Sequence, residues 1–229
     1  MINKLLLQSV IDKYYLGVNE SVKWVINDNH LSIDFMTPTK DVIGSVECED
    51  FKLENSKLAI YDTKKLQSLI SICSGDLLLE LQKQNKMFIK LNISDMHLGN
   101  VNIPDWVVEI DLTLEDLTYL LKAKGALKDI DNMLVTTTTN LDGEPICEFI
   151  FGDESGHNNK ITYQLSGRIE EENIKLPFNS DTFKMILQAN RGMESGKLTI
   201  SSMGLMGLEF KDQSIISKYY MVRKSDTSF

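Results

Sequence analysis

The sequence predicts an α+β protein made of two repeated domains, each with two helices packed on antiparallel sheets. The order of helix, strands and second helix occurs twice along the chain. Aligning Leu66 with Phe183 and Ile70 with Leu187 gives an offset of 117 residues in a chain of 229. The predicted strands are short and outnumber the helices. A repeat of about half the chain is typical of two related domains and not of a solenoid.

The first half contains two amphipathic helices separated by strands. Its predicted elements are a helix at Asn3–Tyr15, strands at Val22–Ile26, Leu31–Phe35 and Lys57–Ile60, and a helix at Asp62–Ile72. In the second helix the residues Leu66, Leu69, Ile70 and Cys73 share one side by their spacing. We therefore expect that side to be buried and the opposite side, which begins at Lys64, to be polar.

The second half repeats this order. Its predicted elements are a helix at Leu114–Lys122, strands at Met133–Thr138, Ile146–Phe151 and Asn173–Leu176, and a helix at Asp181–Gln188. Asp142-Gly143 separates two alternating runs and predicts a tight hairpin turn. Further alternating segments are Leu77–Leu81, Lys86–Leu91, Ile161–Leu165, Lys197–Ser201, Leu205–Phe210 and Ser217–Val222.

The boundary between the halves is predicted at Gly99–Asp105, a segment that begins with a glycine and has a proline as its next-to-last residue. The predicted organisation is domain 1 over residues 1–98, a connector over 99–106 and domain 2 over 107–229. Each half is long enough to bury its own hydrophobic core.

Composition is that of an ordinary globular protein, with 42% apolar and 25% charged residues. No apolar run approaches the roughly 18 residues that a membrane span needs, and the N-terminus lacks the layout of a secretory signal. The three cysteines, Cys48, Cys73 and Cys147, lie far apart in apolar surroundings, which predicts buried free thiols in a reducing cytoplasm. No membrane partner is expected.

Charge is distributed unevenly between the helices and the rest of the chain. The net charge of −9 by itself argues against a conventional nucleic-acid-binding protein, which usually has a basic surface. The helical segments 3–14, 62–74, 113–128 and 180–191 nevertheless contain nine basic and five acidic residues, a net charge of +4 that leaves −13 for the remainder. The basic residues are Lys4, Lys13, Lys64, Lys65, Lys122, Lys124, Lys128, Lys184 and Arg191.

The acids of the helical segments have a local role. Four of the five lie at or beside helix starts, where a carboxylate caps free N–H groups and interacts favourably with the helix dipole. Surface helices often carry lysines without any function, and this alternative stays open for each helix alone. The same bias in four helices of an acidic chain favours a shared cationic surface.

No catalytic motif is present in the sequence. The histidines His30, His97 and His157 have no spacing with each other or with cysteine that is typical of a metal site. The segment Gly192–Lys197 is one residue shorter than a phosphate-binding loop, precedes Leu198 in place of Ser or Thr, and follows a helix where that loop follows a strand. We expect a protein that is not an enzyme and that has no cofactor and no metal.

Several segments together resemble a known family. They are Val107–Ile110 running into Glu115–Lys122, Leu58–Asp62 with the helix that follows, Tyr163–Phe210, Lys218–Val222 and the final Ser225–Phe229. The pattern resembles the sliding clamps that hold replicative DNA polymerases on DNA, specifically the clamp of T4-like bacteriophages. The resemblance covers nearly the whole chain. Departures from it are the acidic cluster Glu170–Glu172 and the few basic residues of the first helix.

The resemblance implies a DNA clamp fold and a ring. Each domain of a clamp supplies two helices to the inner wall, sheets form the outer wall, and a two-domain subunit closes as a homotrimer. The implied partners are encircled duplex DNA, bound without sequence recognition, a DNA polymerase and a clamp-loader ATPase, in the cytoplasm of a bacterial host. A role in late transcription is also implied. The nine basic helix residues are then the candidate DNA-facing set.

Two further surfaces follow from the resemblance. Clamps pair strands between subunits, and family order indicates Lys86–Ile93 of one subunit and Ile161–Ser166 of the next. Clamps also share one apolar pocket that receives a short tail of the polymerase and other partners. The candidate pocket residues are Val101, Ile103, Pro104 and Trp106 in the connector, with Met203, Leu205, Met206 and Leu208 as the opposite wall. Packing of Trp106 into the second core is an equally good interpretation.

A second class of function stays open at this stage. The chain could be a non-catalytic, two-domain, β-rich structural or assembly protein without a DNA function, and an enzyme is a third interpretation. The mass in solution separates the first two, because a clamp predicts a closed trimer of three 26.0 kDa chains.

Overall fold

The computed structural model describes residues 2–73, 77, 105–152 and 159–225. The chain divides into two compact units. The first comprises Met1–Val101 with Ser214–Ser217, and the second comprises Asn102–Gln213 with Lys218–Phe229. The division at residues 101 and 102 falls inside the connector that the sequence predicts. The sequence did not indicate that Ser214–Ser217 belongs with the first unit.

Among the residues that the structure describes, the first unit contains two helices and four antiparallel strands. Its elements are α1 (Lys4–Tyr15), β1 (Val22–Asn27), β2 (His30–Met36), β3 (Val42–Cys48), β4 (Ser56–Ile60) and α2 (Thr63–Ile72). The strand order is β4-β1-β2-β3, and Ser214–Ser217 lies at the β3 side of the sheet. Alternating residues of β1 to β3 are buried, as expected for a sheet with one face on a core.

The second unit contains two helices and two antiparallel sheets. Its elements are β5 (Val108–Leu112), α3 (Leu114–Ala126), β6 (Asn132–Thr139), β7 (Pro145–Gly152), β8 (Lys160–Ser166), β9 (Arg168–Ile169), β10 (Lys175–Asn179), α4 (Ser180–Ala189), β11 (Ser195–Ser201), β12 (Leu205–Asp212) and β13 (Ile215–Val222), which belongs to this unit from Lys218 onward. One sheet has the order β10-β6-β7-β8, and the other has β12-β11-β5-β9 with β13 beside β12.

The four predicted helices and the predicted hairpin are confirmed. Asn3 caps α1 through its side-chain oxygen, and Asp62 and Asn179 cap α2 and α4 in the same way. In the hairpin between β6 and β7, the side-chain oxygen of Asn140 accepts N–H bonds from Asp142 and Glu144, each 2.9 Å long. The predicted strands at Leu77–Leu81 and Lys86–Leu91 lie outside the described residues, except for Leu77.

The repeat is visible in equivalent hydrogen bonds. Thr63 and Ser180, the first residues of α2 and α4, are 117 positions apart in the sequence and fully buried. The Thr63 hydroxyl donates to the carbonyl of Glu20 at 3.0 Å, and the Ser180 hydroxyl donates to the carbonyl of Ile130 at 2.8 Å. Each carbonyl lies in the segment between the first helix of its unit and the next strand. The same hydroxyl therefore joins the second helix of each unit to the segment that follows the first helix.

One cysteine prediction is wrong. Cys48 and Cys147 are buried free thiols, and burial raises the pKa of Cys48 to about 11 and that of Cys147 to about 12. Cys73 is exposed because it follows the last residue of α2 and lies outside the packed part of the helix. None of the described helices has the length and apolar character needed to cross a membrane.

Candidate nucleic-acid interface and partner surface

The nine candidate DNA-facing cations differ in exposure. Lys64, Lys65, Lys122, Lys128 and Arg191 are exposed, Lys4 and Lys184 are half-buried, and Lys13 and Lys124 are buried. A phosphate contact needs a charge that reaches solvent, so the structure retains seven of the nine as candidates.

The exposed face of α2 is cationic at its start and neutral along its length. Lys64 and Lys65 lie in the first turn, where Asp62 accepts the N–H of Lys65 at 2.7 Å and Glu20 accepts the N–H of Lys64 at 3.2 Å. The hydroxyl of Ser68 returns to the carbonyl four residues earlier at 2.9 Å. Asp62 therefore caps the helix, as the sequence predicted for an acid at a helix start, and Glu20 is a further acceptor that the sequence did not indicate. The side chains of Lys64 and Lys65 are exposed.

Lys4 has a role within its unit. Its Nζ donates to the carbonyl of Cys73 at 2.5 Å and to that of Ser71 at 3.3 Å, at the C-terminal end of α2. A cation at that end interacts favourably with the free carbonyls and the helix dipole. Lys4 is therefore less available to phosphate than the fully exposed lysines.

Lys124 is a buried capping cation. Its Nζ donates to the carbonyls of Leu127, Lys128 and Ile130 at 3.4, 3.2 and 2.5 Å, and it forms an ion pair with Asp181 at 3.0 Å. The assignment of Lys124 to a DNA-facing surface is corrected for this reason, and that of Lys13 because its side chain is 1% exposed. The sequence contained a signal for Lys124, which lies four residues after the buried Leu120 and seven residues after the buried Leu117, on the same side of the helix.

Lys122 lies beside a stacked pair of tyrosines at the β8 side of the sheet β10-β6-β7-β8. Its Nζ is 5.5 Å from the centre of the Tyr119 ring, which stacks on the ring of Tyr163 in β8 at 5.6 Å. The Tyr163 hydroxyl donates to Asp116 at 2.8 Å, and Asp116 also accepts the backbone N–H of Thr113 at 2.8 Å in the capping box of α3. The edge strand β8 is thus fixed to the start of α3.

The pKa values around Asp116 follow from these contacts. Burial and the bond to Asp116 raise the pKa of Tyr163 to about 12. Burial acts to raise the pKa of Asp116, but hydrogen bonds from Thr113 and Tyr163 outweigh burial and lower it. The carboxylate is therefore ionised at neutral pH and remains a strong acceptor for both partners.

Helix α4 is amphipathic, with its apolar side buried. Phe183, Ile186 and Leu187 are fully buried, and the Phe183 ring stacks on Phe149 at 5.7 Å. Arg191, just after the helix, is exposed. The apolar side of α4 therefore lies in the core, and its outer side is polar.

The predicted buried side of α2 is buried only in part. Ile70 is buried and Leu66 is half-buried, whereas Leu69 is 53% exposed and Cys73 is exposed. The prediction is therefore wrong for Leu69 and Cys73, and the basic residues Lys64 and Lys65 share the exposed surface of α2 with an apolar side chain.

The candidate partner pocket is described only in part. Val101, Ile103 and Pro104 lie outside the described residues. On the opposite wall Met203 is 75% exposed and Leu205 is half-buried, whereas Met206 and Leu208 are core residues. The assignment of Met206 to an exposed wall is corrected, because its position in β12 turns it to the core. Leu208 is only 2% exposed, although it lines the small cleft beside Trp106.

Trp106 packs on β12 and borders a small cleft. A Cβ atom at Gly207 would lie 2.5 Å from the Thr199 hydroxyl and 3.1 Å from the Trp106 ring, so a larger residue here would clash with the hydroxyl and crowd the indole. The cleft has a volume of ≈ 160 Å³. Its lining residues are Trp106, Lys197, Thr199, Gly207, Leu208, Glu209, Lys218 and Tyr220. Trp106 is half-buried, so its ring packs on β12 with one part and borders the cleft with another, which is compatible with both interpretations of this residue.

Ion pairs surround this cleft. Lys197 contacts Glu109 at 2.5 Å, Arg168 contacts the same carboxylate at 2.8 Å, and Lys218 contacts Glu209 at 3.2 Å. The hydrogen bond from Lys197 lowers the pKa of Glu109. The sequence did not indicate a site at these strand residues, whose only signal was their alternation with buried neighbours. Their paired charges give the cleft a polar rim.

The two edges of the sheet β10-β6-β7-β8 differ. Beside β10, the backbone N–H of Lys224 donates to the carbonyl of Pro177 at 2.9 Å, and its Nζ contacts Asp131 at 3.1 Å. Among the described residues, β8 is the terminal strand at the other edge.

Throughout the described ranges 2–73, 105–152 and 159–225, no group of three or more His, Cys, Asp or Glu residues is placed to hold a metal ion.

Comparison with solved structures identifies the fold. The chain is similar to the crystal structure of proliferating cellular nuclear antigen from Entamoeba histolytica, with a TM-score of 0.70 and 16% identity over 97% of this chain and 96% of that chain. It is also similar to the PCNA2-PCNA3 complex from Sulfolobus tokodaii, with a TM-score of 0.71 and 9% identity over 98% of each chain. No family model and no curated protein matches the sequence. The predicted α+β DNA clamp fold is confirmed.

Proposed function

We propose that this chain is the subunit of a sliding clamp, a homotrimeric ring that encircles duplex DNA and tethers a replicative DNA polymerase. The observation that carries the proposal is the exposed cationic side of helices in both units of a strongly acidic chain with the clamp fold. A structural or assembly protein needs no such segregation of charge.

Encirclement explains how an acidic protein holds DNA. Duplex DNA carries about one negative charge per 1.7 Å of axis, so a conventional binder needs many phosphate contacts to stay bound. A closed ring stays on DNA by topology, and its cations only have to offset repulsion from the rest of the chain. Contacts of this diffuse kind do not read base sequence.

The internal repeat supports closure by strand pairing between copies. In the first unit the order β4-β1-β2-β3 corresponds to β10-β6-β7-β8 in the second, because β4 and β10 each lead into the second helix. Ser214–Ser217 lies at the β3 side, and the N–H of Glu49 donates to the carbonyl of Ser214 at 3.0 Å. The corresponding strand β8 is terminal among the described residues. A strand from a second copy is the proposed neighbour of β8, and the sequence indicates residues 86–93, which lie outside the described residues.

The remaining partners are proposed from the sequence resemblance. They are a clamp-loader ATPase that opens the ring and a polymerase whose short apolar tail docks near the connector. The cleft beside Trp106 is the described part of that region. An origin in a T4-like bacteriophage, action in a bacterial cytoplasm and a role in late transcription belong to the same proposal.

Retention on end-blocked DNA tests encirclement directly. The protein is incubated with a linear duplex attached to a bead at one end, the free end is then blocked with a bulky protein, and the bead is washed in high salt. A ring that has threaded over the end stays bound until a restriction enzyme cuts the duplex. Equal loss in high salt from blocked and unblocked DNA would show ordinary electrostatic binding and reject the proposal.

A charge-matched pair of variants tests the DNA-facing helices in the same assay. One variant changes Lys64, Lys122, Lys184 and Arg191 to alanine, and its control changes Lys52, Lys57, Lys175 and Lys211, which are exposed outside the helices. We expect the first variant to thread poorly and its DNA binding to depend less on salt. The control loses the same number of positive charges, but outside the helices, so we expect it to behave like the parent chain. Equal behaviour of the two variants would contradict the helix assignment.

A further inference from the structure

Exposed apolar side chains form a strip along β12 and β13. Leu205 of β12 and Tyr220 and Val222 of β13 lie on the side of the sheet away from the core, since their neighbours in the strands are buried. Val222 is 49% exposed, and Met203 in the turn before β12 is 75% exposed. These four residues are the apolar strip, which leads to the cleft beside Trp106 because Tyr220 lines that cleft. Apolar side chains that adjoin one another on a surface indicate an interaction site more often than isolated ones do.

The chain leaves β13 beside the apolar strip and is held there. The backbone N–H of Arg223 donates to the carbonyl of Gly204 at 2.8 Å, which places the end of β13 next to the start of β12. A Cβ atom at Gly204 would lie 2.4 Å from the Arg223 side chain, so that side chain packs across the turn. The N–H of Lys224 donates to the carbonyl of Pro177 at 2.9 Å, and its ammonium group is ion-paired. The point from which residues 226–229 continue is therefore fixed.

Residues 226–229 lie outside the described residues, but their sequence and length limit what they can do. They read Asp-Thr-Ser-Phe, and Phe229 is their only apolar residue. Phe229 is five residues beyond Lys224, so it can lie up to about 17 Å from that anchor at about 3.4 Å per extended residue. Tyr220 is four strand residues before Lys224, a distance of about 13 Å. Phe229 can therefore reach the whole apolar strip, including its end at the cleft.

A segment attached beside a surface needs little affinity to occupy it. A short flexible link gives a local concentration on the order of millimolar. If the free peptide bound the strip with a dissociation constant of about 1 mM, the attached segment would occupy the strip about half of the time or more. A competing ligand then binds about 2- to 10-fold more weakly, because only the uncovered fraction of the protein is available to it.

We propose that residues 226–229 fold back over the apolar strip and place Phe229 at the cleft beside Trp106. The occupant of this surface is thus a segment of the same chain, and a partner has to displace it. The inference rests on the proposed function in one respect, since the competing partner is the apolar tail of the polymerase. The covered state lowers the affinity for weak ligands and leaves the surface accessible to a ligand that binds more tightly than the segment does.

Tryptophan fluorescence tests the contact without any partner. The chain has two tryptophans, and Trp24 is 3% exposed in the first unit, so a change at the cleft is reported by Trp106. We expect Phe229→Ser to shift the emission to longer wavelength and to increase quenching by acrylamide about two-fold, whereas the control Ser228→Ala should match the parent chain. A synthetic peptide of residues 225–229 at millimolar concentration should reverse the shift in the Phe229→Ser protein. Identical emission and quenching of the parent and Phe229→Ser would overturn the inference.

Calorimetry with the C-terminal peptide of the polymerase tests the competition. We expect the Phe229→Ser protein to bind this peptide about 2- to 10-fold more tightly than the parent chain and the Ser228→Ala control do. Equal affinity of all three proteins overturns the inferred competition. If the peptide binds none of them, the proposed polymerase docking fails, and the fluorescence result alone decides whether Phe229 covers the strip.

Discussion

Replacing Lys124 by methionine separates a structural lysine from the phosphate-binding ones. Methionine keeps the apolar stem and removes the ammonium group that satisfies three carbonyls after α3. Leaving buried acceptors without a donor costs about 1–3 kcal/mol for each group that water cannot reach. The ion pair with Asp181 adds little, because that carboxylate is 56% exposed and surface pairs contribute about 0–1 kcal/mol.

Since water reaches part of this turn once the lysine is removed, we expect a loss of about 2–4 kcal/mol in the free energy of unfolding. The assay is urea denaturation followed by circular dichroism. The matched control is Lys122→Met, two residues earlier in the same helix and exposed, which should change the free energy of unfolding by less than about 0.5 kcal/mol. Equal stability of the two variants would refute the assignment of Lys124 as a buried cap. In the DNA assay Lys122→Met should have only a mild effect, because each phosphate contact is one of several diffuse contacts, and Lys124→Met should have none.

Two further predictions concern the joint between copies at β8 and the partner surface. Proline at Thr162 or at Tyr163 removes one backbone N–H donor from β8. Neighbouring residues of a strand direct their N–H groups to opposite sides, so one of the two variants loses an outward donor and should shift trimer to monomer. If both variants fold and remain trimeric at nanomolar concentration, the joint lies elsewhere. Polar substitutions at Val101 and Ile103 should leave the trimer intact and weaken binding of the polymerase C-terminal peptide by about 1–3 kcal/mol in calorimetry, as for loss of interface anchors. Unchanged peptide affinity would move the docking site away from the connector.

The sequence by itself determined the elements and their repetition. Hydrophobic periodicity located α1 to α4, and capping residues such as Asn3 and Asp62 located where helices begin. Thr63 and Ser180, which the sequence repeat aligns with each other, make equivalent buried hydrogen bonds in the two units. These features depend on residues close together in the chain, or on a repeat that can be read from the chain, so no knowledge of packing was needed.

Tertiary structure decided which members of each predicted surface reach solvent. Lys124 and Lys122 are two residues apart with the same side chain, yet one is buried and the other exposed. The difference arises because the turn after α3 supplies three carbonyls to Lys124 and the start of α4 supplies Asp181, more than fifty residues away in the chain. Periodicity assigns a side of a helix, but whether a charge on that side can be buried depends on the acceptors that other elements bring to it.

Tertiary structure also decided which residues of the partner surface are exposed and which strands lie at the edges of the sheets. Met206 and Leu208 are apolar like their neighbour Met203, but the register of β12 turns them to the core and leaves Met203 exposed in a turn. The terminal position of β8 and the contact of Ser214 with Glu49 depend on pairings between distant segments. Strand composition cannot specify such partners, because a pleated strand offers the same backbone hydrogen bonds at both of its edges.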